Sequence, residues 1–213
     1  MNGCNFLLSL VVSLVISLVA LPAHAVEIAV AEGLILEISL SEGWTLHLEP
    51  PEALVKEAAS HVAHEAAAAN ATAEQIEAVV RRRLGVNEAF IYHAASGAHL
   101  DIDFSPVGPG QSTPSAQTLR NSAEYAARSL ENEDDVAALA WEVSSAKIAG
   151  VDDVFLLSAD YLQHDHQTNF RGYIGSVDKN WFYLYFTAPG KNPEVLQEMQ
   201  SMLDSLLIRA ADR

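Results

Sequence analysis

Trp181-Phe182-Tyr183-Leu184-Tyr185-Phe186 is the stretch on which the fold turns. As a strand it sends Trp181, Tyr183 and Tyr185 to one side and Phe182, Leu184 and Phe186 to the other, because successive side chains alternate across a sheet. A strand apolar on both faces must be covered on both faces. Asp178-Lys179-Asn180 makes a tight turn before it, and Phe170 to Val177 reads as the preceding strand. Hairpin connections of this kind make the sheet largely antiparallel, so helices must supply the cover.

Outward toward the C-terminus, Asn192 can cap a helix with Pro193 in its first turn. Val195, Leu196, Met199, Met202, Leu203, Leu206 and Leu207 form its buried stripe. Toward the N-terminus, Val154 to Leu162 and Glu142 to Ala149 read as strands. Val136 to Ala140 suits either a helix end or a strand start, and Ser115 to Leu130 a helix. Ser105 to Pro114 is a Pro-, Gly- and Ser-rich loop. Ala89 to His93 and His99 to Phe104 form a hairpin whose second strand alternates cleanly: Leu100, Ile102 and Phe104 on one side, His99, Asp101 and Asp103 on the other. Thr72 and Gln75 complete a capping box for a helix through Ile76, Val79, Val80 and Leu84, ended by Arg81 to Arg83 and Gly85. An earlier helix runs from Pro51 to about Asn70. Leu34 to Leu40 and Trp44 to Leu48 are strands around the turn Ser41-Glu42-Gly43. The order β-β-α-α-β-β-α-β-β-β-β-α describes an α+β layered fold: a largely antiparallel sheet with helices on both faces.

Phe6 to Leu21 is apolar apart from Ser9, Ser13 and Ser17, and it leads into Leu21-Pro22-Ala23-His24-Ala25. This is the pattern of a secretory signal peptide, residues 1–25, followed by one domain over residues 26–213. An uncleaved membrane anchor is the alternative; the run is slightly short for a span of about 20 residues. Cys4, the single cysteine, precedes the apolar run, where it cannot carry a lipoprotein's lipid. The mature chain therefore has no disulfide, thiol nucleophile or thiolate metal site. Its net charge of -16 repels nucleic acid and anionic head groups and attracts cations or a basic protein surface.

Ile38-Ser39-Leu40-Ser41-Glu42-Gly43-Trp44 resembles the opening I-x-L-P-x-G-W strand of the PsbP-like fold, shared by DcrB-like periplasmic proteins, with Ser41 where proline is common. Phe170-Arg171-Gly172-Tyr173, the hairpin Trp181 to Phe186 and one amphipathic helix, Glu194 to Ile208, continue the likeness over most of the mature chain. The resemblance implies an antiparallel sheet between helical layers, an α/β/α sandwich. It also implies a binding or accessory module, since relatives include a photosystem extrinsic subunit, bacterial envelope proteins and cytosolic effector chaperones. The signal peptide argues against the chaperone branch.

Seven of the eight histidines lie beyond residue 25. His99, Asp101 and Asp103, with His93 across the hairpin, form the candidate site for a divalent metal such as Zn, Mn or Ca. The polar face of a half-exposed strand explains the same residues. Glu57, His61 and His64 share a helix edge, and His164-Asp165-His166 sits in a loop; a solvated face and a hairpin tip account for them equally. The order His61-Val62-Ala63-His64-Glu65 is not H-E-x-x-H, and no G-x-S-x-G elbow occurs. Gly172-x-x-Gly175 reads as close packing, and Trp44 and Trp181 as fold-defining residues. The expectation is a non-catalytic periplasmic or secreted protein that binds an envelope protein or small ligand. No cofactor, nucleic-acid partner or stable membrane insertion of the cleaved form is expected. A metal-binding accessory protein is the alternative reading, and an envelope hydrolase the third.

Overall fold

The computed structural model describes residues 24–66, 71–133, 136–163 and 165–211, with side chains omitted at 63–66. The elements in chain order are β1 (His24–Ala31), β2 (Leu34–Leu40), β3 (Trp44–His47), α1 (Glu52–Ala66), α2 (Ala73–Leu84), β4 (Ala89–His93), β5 (His99–Pro106), α3 (Ala116–Leu130), β6 (Val136–Ala146), β7 (Val154–Gln163), β8 (His166–Val177), β9 (Asn180–Pro189), α4 (Pro193–Asp204) and β10 (Leu207–Ala210). A seven-stranded sheet has the order β3-β4-β5-β9-β8-β7-β6, and a three-stranded sheet the order β1-β2-β10. Every pairing within both sheets is antiparallel.

The aromatic strand sits near the middle of the large sheet, between β5 and β8. Val177 pairs with Asn180 across Asp178 and Lys179, both left-handed, which is the two-residue turn whose twist suits a hairpin. Phe182, Leu184 and Phe186 join Leu100, Ile102 and Phe104 in the main core. That core is closed by Ile28, Val30, Leu34, Leu36, Ile38 and Leu40 of the small sheet and by Val195, Met199, Met202 and Leu203 of α4. A second sheet therefore shares the cover of this face with a helix. Gly175 lets β8 lie close to Phe182: a Cβ there would come within 2.3 Å of the Phe182 ring.

The opposite face is covered by α3, whose Leu119 and Ala123 pack on Phe155 and Ile174. α1 and α2 form their own layer through Val55, Ala59, Ile76 and Val80, tied by Arg81 to Glu52 at 2.6 Å. The Thr72–Gln75 capping box of α2 is present, and Asn192 Oδ1 accepts from the Glu194 and Val195 N–H groups at the start of α4.

Two expectations change and one open alternative is settled. Leu206 to Ile208 does not continue the last helix: α4 ends at Asp204, and β10 pairs with β2. Gly150 makes this possible, since its left-handed backbone (φ +85) leaves room for the Ile208 carbonyl where a Cβ would stand. Val136 to Ala140 is strand, distorted by a register shift between Ala137 and Ala140 with Ala138 at φ +50. β1 was not expected; it opens at His24 and pairs with β2, so removing residues 1–25 leaves the strand from Val26 onward. The apolar run Phe6 to Leu21 lies outside the described residues, among which no helix is long and apolar enough to cross a membrane.

Candidate binding face

Strand register builds the face residue by residue. Tyr92 of β4 stands beside His99 of β5, which stands beside Thr187 of β9; Phe90, Asp101 and Tyr185 form the next row. Asp103 then faces Tyr183, and Ser105 faces Trp181. The polar side of β5 thus runs along the aromatic side of β9. Asp101, Asp103, Tyr183 and Tyr185 are all half-buried, while the alternate residues of the same strands are sealed in the core.

His99 is only 8% exposed. Its Nδ1 lies 3.0 Å from the Gly97 carbonyl oxygen, an acceptor, so Nδ1 carries a proton and donates it there. Asp103 accepts from the Ser105 hydroxyl at 3.3 Å. Asp101 Oδ1 is buried without a hydrogen-bond partner, and it is the one such side-chain atom among the described residues. Burial raises the pKa of both carboxyls; nearby His99 opposes the shift at Asp101, and the Ser105 bond opposes it at Asp103. Burial likewise raises the Tyr185 hydroxyl, with Tyr183 and Asp103 adding to it. Tyr183 is raised by burial and eased by a hydrogen bond with Ser122 of α3. Its ring stacks parallel to that of Trp181 at 6.1 Å, and Tyr185 lies 5.8 Å farther along the row. Glu57 of α1 borders the Tyr92 end, where its charge adds to the burial that raises that hydroxyl.

His93 does not join this group. It follows Tyr92 by one residue, so it points to the other face, where its ring packs on Trp44 at 5.1 Å and its Nδ1 is 2.7 Å from Ser96 Oγ. Among the described residues no three His, Cys, Asp or Glu side chains are grouped as a metal ion requires. Glu57 is exposed on α1, and the side chain of His64 lies outside the described residues. His166 pairs with Gln163 at a hairpin tip with Asp165 left-handed; His164 lies outside the described residues. Arg81 is committed to Glu52, with Arg82 and Arg83 exposed beside it. Trp44 is core, its Nε1–H donating to Glu198 at 3.0 Å. Gly172 and Gly175 serve close packing against Tyr185 and Phe182. Tyr183 and Tyr185 were legible as one strand face but not as neighbours of Asp103 and Asp101. Only the pairing of strands about eighty residues apart brings them together.

No family model and no curated protein matches this chain. Solved structures do. The cyanobacterial PsbP protein CyanoP of Synechocystis matches at a TM-score of 0.51 and 7% identity, covering 91% of this chain and 95% of its own. The chain therefore has the PsbP-like fold, as the sequence resemblance implied. LpqN of Mycobacterium tuberculosis, involved in cell envelope biogenesis, matches at 0.47 and 10% identity over 87% of this chain and 90% of its own. The Saccharomyces cerevisiae Ran-binding protein Mog1p matches at 0.46 and 8% identity over 89% and 97%.

Proposed function

We propose that this protein is a non-catalytic binding protein of the cell envelope, periplasmic or secreted, and that its ligand sits on the Asp101–Tyr185 face. One observation carries the reading: a buried, unpartnered carboxylate oxygen beside a half-open row of aromatic rings. Leaving a buried acceptor unsatisfied costs about 1–3 kcal/mol. Buried polar atoms are otherwise nearly always hydrogen-bonded, so such a cost marks a place where a bound water, an ion or another molecule supplies the missing donor. The N-terminal apolar run and the acidic charge support an exported protein. The fold supports an accessory role by analogy alone.

The test is crosslinking of the purified protein in envelope extract, comparing the wild type with Asp101→Asn and Tyr185→Leu. The expected result is one or more products that the wild type forms and both variants form weakly. Identical products from all three, or turnover in a broad hydrolase screen abolished by Asp101→Asn, would remove this reading.

A further inference from the structure

The β5 side of this face offers acceptors and almost no donors. His99 commits its Nδ1–H to the Gly97 carbonyl. Asp101 and Asp103 are carboxyls, and the Ser105 hydroxyl is spent on Asp103. Among the described residues no Lys or Arg forms an ion pair with either carboxylate, although elsewhere Arg81, Arg120, Arg171 and Arg209 each pair with an acid. A partner for this row must therefore bring donors and positive charge.

Geometry narrows the class. Residues two apart on a strand are spaced by about 7 Å, too far for one compact ammonium to contact both carboxyls. A guanidinium is planar, carries five donors in a fork and no acceptor, and stacks on aromatic faces. Tyr185 and Tyr183 supply half-exposed rings directly beside Asp101 and Asp103. A cation over such a ring is attracted by its electron-rich face. The three ligand-binding elements required by a guanidinium are present together: an unsatisfied acceptor, a second carboxyl one pleat away and a flat ring alongside. A divalent metal is disfavoured by the absence of three converging ligands among the described residues.

We infer that the face holds an arginine side chain presented by a basic segment of a partner protein, with Asp101 and Asp103 accepting its N–H groups and Tyr185 flanking its plane. This rests on the binding role proposed above. The chain's net charge of -16 would speed the encounter with such a segment and make it sensitive to salt.

The experiment is titration calorimetry with three short peptides of one sequence carrying arginine, lysine or citrulline at the central position. The arginine peptide should bind about tenfold more tightly than the other two, because charge-assisted forked hydrogen bonds need both the charge and the shape. Asp101→Asn and Asp103→Asn should each weaken it about tenfold. Tyr185→Phe should keep most of the affinity and Tyr185→Leu should lose it, since the ring and not the hydroxyl is used. Thermal melts of each variant confirm that the fold survives. Equal affinity for arginine and lysine, or arginine affinity unaltered by Asp101→Asn, overturns the inference. If the crosslinked products still depend on Asp101 while no peptide is preferred, the binding face stands and the guanidinium falls. If neither depends on Asp101, both fall.

Discussion

The two faces of the large sheet are made by the same strands, yet they are opposite in character. On β5 and β9 the residues Leu100, Ile102, Phe104, Phe182, Leu184 and Phe186 are all buried against the small sheet and α4. Their immediate neighbours, Asp101, Asp103, Trp181, Tyr183 and Tyr185, remain half-exposed. One face is filled with branched and aromatic hydrocarbon that leaves no polar atom to satisfy. The other keeps carboxyls and hydroxyls in surroundings that penalise their charge. The first face stabilises the fold, and the second gives up stability at a place where chemistry can occur.

The sharpest way to break the comparison is to damage the sealed face. Phe182→Ala removes a fully buried ring and should cost about 3–5 kcal/mol in denaturant unfolding. Gly175→Ala should also destabilise strongly, since its Cβ would overlap that ring. On the open face, Asp101→Asn should do the reverse and raise stability near neutral pH, because a charge that burial penalises is replaced by a neutral group. A core position that destabilises and a site position that stabilises while weakening binding would confirm the division of labour; loss of stability in Asp101→Asn would erase it.

The same carboxyls set a pH dependence of known sign. The folded pKa values of Asp101 and Asp103 lie above the ordinary carboxylate value. Between the ordinary and the raised values the folded state therefore binds more protons than the unfolded state, and stability falls as pH rises through that window. Below it both states are protonated and the penalty vanishes. Melting Asp101→Asn beside the wild type should show a gain near neutral pH that closes toward acid. The smallest effect is expected for Tyr183→Phe, which loses the Ser122 hydrogen bond and should cost about 0.5–1.5 kcal/mol.

Local physics made much of this legible. The period-2 alternation of His99 to Phe104, the capping box at Thr72 and the Asn192-Pro193 start of the last helix depend on neighbours in sequence, and each is found where its pattern places it. What failed depends on distant partners. Leu206 and Leu207 extend the spacing of Met199, Met202 and Leu203, and no Gly or Pro interrupts them. The helix stops because β2 offers a better partner for the residues beyond Ser205, with Gly150 clearing the way. β1 was hidden by its continuity with the apolar leader, and its partner β2 alone reveals it as a strand. For the site, the candidate trio His99, Asp101 and Asp103 was visible from alternation. His93 falls outside it because it is one residue out of phase with Tyr92, a parity that nearness across a hairpin does not show, and the tyrosines join it through the pairing of β5 with β9, which leaves no local trace.

The pairing of β10 with β2 also has a consequence in time. Leu207 lies against Glu37 and Ala210 against Leu34, and Arg209 bonds to both Glu27 and Glu37. The small sheet, and with it the lid of the main core, cannot close until residues 207–210 have left the ribosome. Contacts of such long sequence separation form slowly, because loop closure must precede any gain from pairing. The chain thus completes its small sheet last, after every strand of the large sheet has been made.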